Sequence, residues 1–182
     1  MSANDRARAD AVYETLLQRQ GEQWVQPRVE RTRRALALLA DPQHTYRVVH
    51  VTGTNGKTST SRIIESLLRA HGLRTGLFTS PHLQRFTERV MIDGAPIDDA
   101  AIADAWEEIE PVIGLVDAEL TAAGDAPLTF FELLTVLAFV AFADAPVDVA
   151  VIEVGMGGAW DSTNTADGDV AVFAPIDLDH AD

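Results

Sequence analysis

The 182-residue sequence predicts an α/β fold, a mostly parallel sheet flanked by helices and carrying one short hairpin. Three observations lead there. Apolar, β-branched runs at 48–51, 76–79, 147–154 and 169–175 alternate with segments of helical periodicity. The first run leads straight into the glycine-rich segment Gly53-Thr54-Asn55-Gly56-Lys57, after which the pattern turns helical. A composition of 47% hydrophobic and 23% charged residues supplies one well-filled core of ordinary domain size.

The chain opens with helical patterns. Ala11, Leu16 and Leu17 lie among polar residues, and Pro27 is suited to start a second helix. In that helix Val29, Thr32, Leu36 and Leu39 share a face, while Arg28, Arg31, Arg33 and Arg34 point elsewhere. Asp41-Pro42 ends it, because the proline ring pushes the preceding residue out of the helical region. Val48, Val49, His50 and Val51 then form a buried strand. From Lys57, Ile63, Ile64, Leu67 and Leu68 mark one face of a helix that Gly72 stops. The strand at 76–79 ends at Ser80-Pro81-His82, and Val90-Met91-Ile92 reaches the turn signal Asp93-Gly94, a hairpin suited to act as a lid. Asp98 or Asp99 caps a helix over 100–123 that Pro111 interrupts. A loop at 124–127 precedes a strongly apolar helix over 130–143, and Pro146 resets the chain. The strand at 147–154 ends in Gly155-Met156-Gly157-Gly158, and 169–175 supplies the last strand. With no repeat, low-complexity segment or linker, residues 1–182 are expected to form a single domain.

Composition excludes several functions. Without cysteine there is no disulfide scaffold, thiolate metal site or cysteine nucleophile. The longest apolar run, 133–143, falls far short of the roughly 20 residues that span a bilayer. The N-terminus lacks the apolar stretch of a secretory signal, so a cytoplasmic location is expected. All fourteen basic residues lie in 1–89 against eight acids, whereas 90–182 holds twenty acids and no Lys or Arg. The net charge of −14 speaks against nucleic-acid binding. The acidic excess reads as a solvated surface. Lys57 is the only lysine among the fourteen.

Residues 53–59, Gly53, Thr54, Asn55, Gly56, Lys57, Thr58 and Ser59, connect a buried strand to a helix, where backbone N–H groups and the helix N-terminus cradle phosphates. Val51 stands where the common phosphate-loop pattern has its first glycine, so this is a shortened G-x-x-G-K-T loop. An ordinary glycine turn is the plain alternative. A phosphate loop needs magnesium, held by oxygen from Thr58 and by an acid at the end of a neighbouring strand. Glu153 meets that description best, because a charge so deep in an apolar strand must be paired or metal-bound; a carboxylate facing water at the strand edge is the other reading. Ser80, Glu153 and His180 all follow predicted strands, the edge at which open α/β sheets bind ligands. His82 and His180 sit in strand-end loops, whereas His44, His50 and His71 read as surface or core residues. Asp161, Thr163 and Asn164 follow a glycine turn, where capping and binding are both open.

Together these segments resemble the Mur ligase superfamily, specifically its folylpolyglutamate synthase and dihydrofolate synthase branch. HVTGTNGKTST resembles that branch's ATP loop, TSPHLQRFTERVMIDG its Ser-Pro-His-Leu stretch, and TFFELLTVLAF its Phe-Glu helix. VIEVGMGGAWDSTN resembles its Glu-Val-Gly-x-Gly-Gly block and PIDLDH its Leu-Asp-His segment. The resemblance implies the phosphate-loop fold of the family's central domain. It also implies ATP and Mg²⁺ as cofactors, and dihydropteroate or a folate and L-glutamate as substrates. In this family ATP phosphorylates a carboxylate, and the amine of an amino acid attacks the acyl phosphate to form an amide. By resemblance Lys57, Glu153 and His180 are catalytic. Residues 53–59 bind ATP, and Thr58, Ser80, Glu153 and His180 hold the metal. His82, Leu83, Thr129, Phe131, Glu132 and Asp161 form the pterin site, with Phe131 equally readable as core.

Two departures accompany the resemblance. Ala159 replaces the arginine the family carries after the paired glycines, and the sequence stops two residues past His180. The family's modified lysine and C-terminal ligase domain then have no counterpart, so the chain is expected to be the ATP-binding portion of a monomeric ligase, unable to complete the reaction alone. The alternatives are a cell-wall Mur ligase or a nucleotide-binding module without ligation. A GTPase is disfavoured because the single lysine leaves no Asn-Lys-x-Asp guanine reader.

Overall fold

A computed structural model describes residues 2–21 and 28–177. Helices α1 (Ala3–Leu17) and α2 (Val29–Leu38) precede β1 (Arg47–Thr52), α3 (Lys57–Ala70), β2 (Thr75–Phe78), β3 (Val90–Ile92) and β4 (Ala95–Pro96). Then follow α4 (Asp99–Ala122), α5 (Phe130–Asp144), β5 (Val149–Glu153) and β6 (Val170–Phe173). The expected helix start at Pro27 lies outside the described residues. The strands form one sheet in the order β4-β3-β2-β5-β1-β6, parallel except for β3 and β4. The hairpin pairs with β2 through Gly76 opposite Ile92 and Phe78 opposite Val90, so it is the sheet's antiparallel edge rather than a flap standing over the loop.

Side chains alternate across the strands and define two unequal layers. Val48, Phe78, Ala150 and Ile152 face a large core dominated by α5, which is buried on nearly every side as an all-apolar helix must be. Residue 76 must be small there, because a Cβ on Gly76 would lie 2.7 Å from the Phe142 ring. Helices α1, α2 and α4 wrap α5 on its outer side. Val51, Leu77 and Val151 face the opposite side, under α3. Among the described residues no helix is long and apolar enough to cross a membrane.

Three further expectations are corrected. Pro111 does not interrupt α4, which is continuous over Asp99–Ala122. The proline is exposed, so water can satisfy the carbonyl it leaves unpaired, while Ile109 and Ile113 stay buried on the other face. On α3, Ile63 and Leu67 are 60% and 58% exposed, and the fully buried residues are Ser61 and Glu65. Glu65 is tolerated there because Thr75 Oγ1 and Arg69 Nε donate to its carboxylate at 2.6 and 3.1 Å. The acidic second half is not merely solvated. Arg8 binds Asp104 and Glu107, each at 2.6 Å, and Arg34 binds Glu119 at 2.8 Å. Arg19 pairs with Asp117, Arg31 with Asp125, and Arg85 with the buried Asp99 at 2.8 Å.

Candidate active site

The parallel strands bring their carboxyl ends to one edge of the sheet. There β1 delivers the glycine loop, β2 delivers Ser80, and β5 ends in Glu153, with β1 lying between β5 and β6. The loop depends on two glycines for different reasons. Gly53 has φ of 140°, and a Cβ there would lie 2.8 Å from both the Cβ and the carbonyl oxygen of Ala174, so a larger residue would collide with the end of β6. Gly56 caps α3 at φ of 79° with open space around its Cβ position, leaving room for a ligand to approach the backbone. Thr54 N and Asn55 N donate to Pro175 O at 2.9 and 3.2 Å, so those two amides brace the loop. The first turn of α3, beginning at Lys57 and Thr58, presents the N–H groups that a helix leaves without intrahelical acceptors. Lys57 Nζ lies over the loop and donates to Gly53 O at 2.8 Å.

Thr58 Oγ1 is 2.8 and 3.0 Å from the two carboxylate oxygens of Glu153. Glu153 is only 2% exposed, and burial pushes its carboxyl above the ordinary range, against the Thr58 hydroxyl, the Ser80 amide and the charges of Lys57 and Arg62. The Thr58 hydroxyl on one buried carboxylate, with Ser80 joined to the same carboxylate through its amide, supplies hard oxygen donors of the kind that suits Mg²⁺ with several of its waters retained. Among the described residues no three His, Cys, Asp or Glu side chains converge on a metal position. His180 lies outside the described residues.

The other expected site residues gather around the start of α5. Thr129 caps that helix, accepting from Glu132 N, while Glu132 accepts from Thr129 N at 2.7 Å and from Arg28 Nη2 at 3.0 Å. Both oxygen-bearing side chains are therefore engaged in holding the helix start. Phe131 packs on Phe78 at 5.8 Å between centroids and covers Gly155, where a Cβ would meet its ring at 2.5 Å. Asp161 is buried and accepts from Met156 N, Thr163 N and Thr163 Oγ1 at 2.9, 2.9 and 2.6 Å. Burial raises its carboxyl above the ordinary value, with those donors pulling the other way. His82 accepts at Nδ1 from Arg89 Nε at 2.8 Å, and its Nε2 lies 3.4 Å from the Tyr13 hydroxyl. Leu83 is 91% exposed.

Sequence reasoning missed Tyr13 and Arg89. Tyr13 stacks on Phe86 with centroids 5.0 Å apart, and the Arg89 guanidinium lies 5.2 Å above Phe130. Phe86, Phe130 and Arg89 are only 3–5% exposed, so these contacts form a closed aromatic cluster behind His82, with the half-buried Tyr13 ring at its edge. Arg89 carried a signal in its buried apolar surroundings. Tyr13 carried none, because α1 meets the cluster only through the tertiary fold.

No protein-family model matches the chain. It is 48% identical over 174 residues to the dihydrofolate synthase/folylpolyglutamate synthase of Mycobacterium tuberculosis, covering 94% of this chain and 36% of that protein. The solved Mycobacterium tuberculosis folylpolyglutamate synthase complexed with ADP superposes with a TM-score of 0.91 at 46% identity, over 98% of this chain and 39% of that one. An FPGS–AMPPCP–folate complex gives a TM-score of 0.85 at 38% identity, over 94% and 41%. The chain thus spans between about a fifth and little more than a third of the length of the curated relatives it matches. With the order of its motifs, the braced glycine loop and the Thr58–Glu153 pair all in agreement, the chain belongs to the folylpolyglutamate and dihydrofolate synthase branch of the Mur ligase superfamily and corresponds to the N-terminal portion of its members.

Proposed function

We propose that residues 1–182 are the nucleotide- and pterin-binding unit of an ATP-dependent ligase that joins L-glutamate to dihydropteroate or a folate. The pairing of Thr58 with the buried Glu153 beneath the Lys57 loop carries the reading, because it is the arrangement a nucleotide–magnesium complex requires. Lys57 turns from Gly53 O to the nucleotide phosphates, and the α3 N-terminus holds them by its N–H groups. Thr58, Ser80 and Glu153, with His180, would hold magnesium, which when bound neutralises phosphate charge. The half-buried Phe131 and the Tyr13 ring pack the pterin, with His82, Leu83, Thr129, Glu132 and Asp161 around it. That placement orients the substrate carboxylate for in-line attack on the γ-phosphorus of ATP; the attack forms the acyl phosphate and releases ADP. Glutamate's amine then displaces phosphate to leave the amide. The matched enzymes are nearly three times as long as the matched region, so ligation is assigned to the longer protein and binding to this unit. A monomer in the cytoplasm, with no nucleic-acid or membrane partner, completes the proposal.

Calorimetric titration of dihydropteroate with magnesium and a nonhydrolysable ATP analogue tests it, repeated with Lys57→Ala. Saturable binding that requires nucleotide and weakens in the variant is expected. Tight nucleotide binding unaffected by Lys57→Ala would refute the site assignment.

A further inference from the structure

Behind the glycine loop, His50 points from β1 toward the α5 side of the sheet and ends a chain of hydrogen bonds. Its Nε2 lies 2.9 Å from Thr163 Oγ1, and Thr163 Oγ1 lies 2.6 Å from Asp161 Oδ1. Thr163 is fully buried and Asp161 is 5% exposed, so water does not substitute in this chain. The direction of each bond follows from the donors. Met156 N, Thr163 N and the Gly155 amide bind the Asp161 carboxyl, and backbone N–H groups can only donate. A carboxyl that accepts three such donors is acting as a carboxylate, so the single Thr163 hydroxyl hydrogen goes to it as well. The Thr163 oxygen must then accept from His50. That places a hydrogen on Nε2 and, in the neutral imidazole, leaves Nδ1 bare.

We infer that His50 is a positioning residue, locked as the Nε2–H tautomer, that orients Asp161 through Thr163 and so fixes the 155–158 loop beside the phosphate loop. Thr52, two residues further along the same strand, supplies the second tether by donating from Oγ1 to Gly157 O at 3.1 Å. The strand that delivers Lys57 and Thr58 therefore also holds the backbone that follows Glu153. The two halves of the nucleotide site share one support. This inference concerns the chain's own hydrogen bonds and is independent of which carboxylate substrate is bound.

Nitrogen-15 NMR of the 182-residue protein at neutral pH, with the histidines labelled, tests it directly. The expected spectrum shows a pyrrole-type Nε2 bearing hydrogen and a pyridine-type Nδ1 for His50. A hydrogen on Nδ1, with Nε2 bare, would mean that Asp161 is protonated and the chain runs the other way, and would overturn the proposal. Amide exchange at Met156 gives a second readout. His50→Gln places an amide N–H near the Nε2 position and should keep Met156 exchange within about threefold, whereas His50→Asn reaches only the Nδ1 position and should raise it about tenfold, a loss near 1.4 kcal/mol of protection. Equal exchange in the two variants would overturn the positioning role. The unsubstituted protein's spectrum decides the tautomer even if a variant fails to fold.

Discussion

The Thr58 hydroxyl and the Glu153 carboxylate, 95 residues apart in sequence, meet at 2.8 and 3.0 Å beneath the glycine loop. One residue opens α3 and the other closes β5, so their meeting is a product of the parallel sheet. The pairing satisfies a buried carboxylate when no cation is bound and gives a cation two oxygen donors when one arrives. Glu153→Gln keeps the shape and removes the charge. Titration of the nucleotide with and without magnesium should then show the metal-dependent gain in affinity shrinking by roughly 10- to 100-fold. Unchanged magnesium dependence would remove Glu153 from the metal site.

Alanine at the two loop glycines should separate folding from binding. Gly53→Ala forces a Cβ onto Ala174 at a φ that L-residues avoid, and a cost of about 2–3 kcal/mol is expected in urea unfolding. Gly56→Ala meets no neighbour and should cost about 1 kcal/mol, from the left-handed backbone alone. Equal destabilisation by both would contradict the described packing of the loop against β6.

Glu132 and Arg28 have side chains only 6% exposed, and they face each other at 3.0 Å. Glu132→Gln retains an acceptor for the α5 cap but leaves the arginine's buried charge with only Asp125, 4.0 Å away. A loss of about 3 kcal/mol is predicted, read from thermal or denaturant melts. A loss within a few tenths would show that the pair contributes little to the fold.

Burial lowers the His50 titration below its ordinary 6.5, against the pull of Asp161. The unfolded chain therefore binds the proton more readily than the folded one. His50 stabilises the fold fully above 6.5, and that contribution is lost as pH falls from 6.5 through the lower folded value. Denaturant midpoints measured across this window should fall less steeply with decreasing pH in His50→Gln than in the unsubstituted protein.

What the sequence made legible was local. The strand, loop and helix around Lys57 could be read because the glycines, the lysine and the apolar flanks are contiguous, and Glu153 stood out as a charge inside an apolar strand. Periodicity failed on α3, where Ile63 and Leu67 compete with Ile64 and Leu68 to define a face and Glu65 is buried by bonds to Thr75 and Arg69 that no local pattern reveals. Pro111 was misread because a proline's cost depends on whether its side of the helix meets water. The bond from His50 to Thr163 spans 113 residues, and only the fold shows that this histidine has a partner.

Arg8 of α1, Arg19 just past its end, and Arg31 and Arg34 of α2 lie against the carboxylates of α4 and the loop that follows it. Residues 90–182 on their own are a polyanion without a single lysine or arginine, and at low ionic strength such a chain repels itself. The N-terminal helices act as its built-in counter-ion, folded in place rather than drawn from solution. Each of these bonds joins charges more than eighty residues apart in sequence, so the neutralisation exists only in the folded chain.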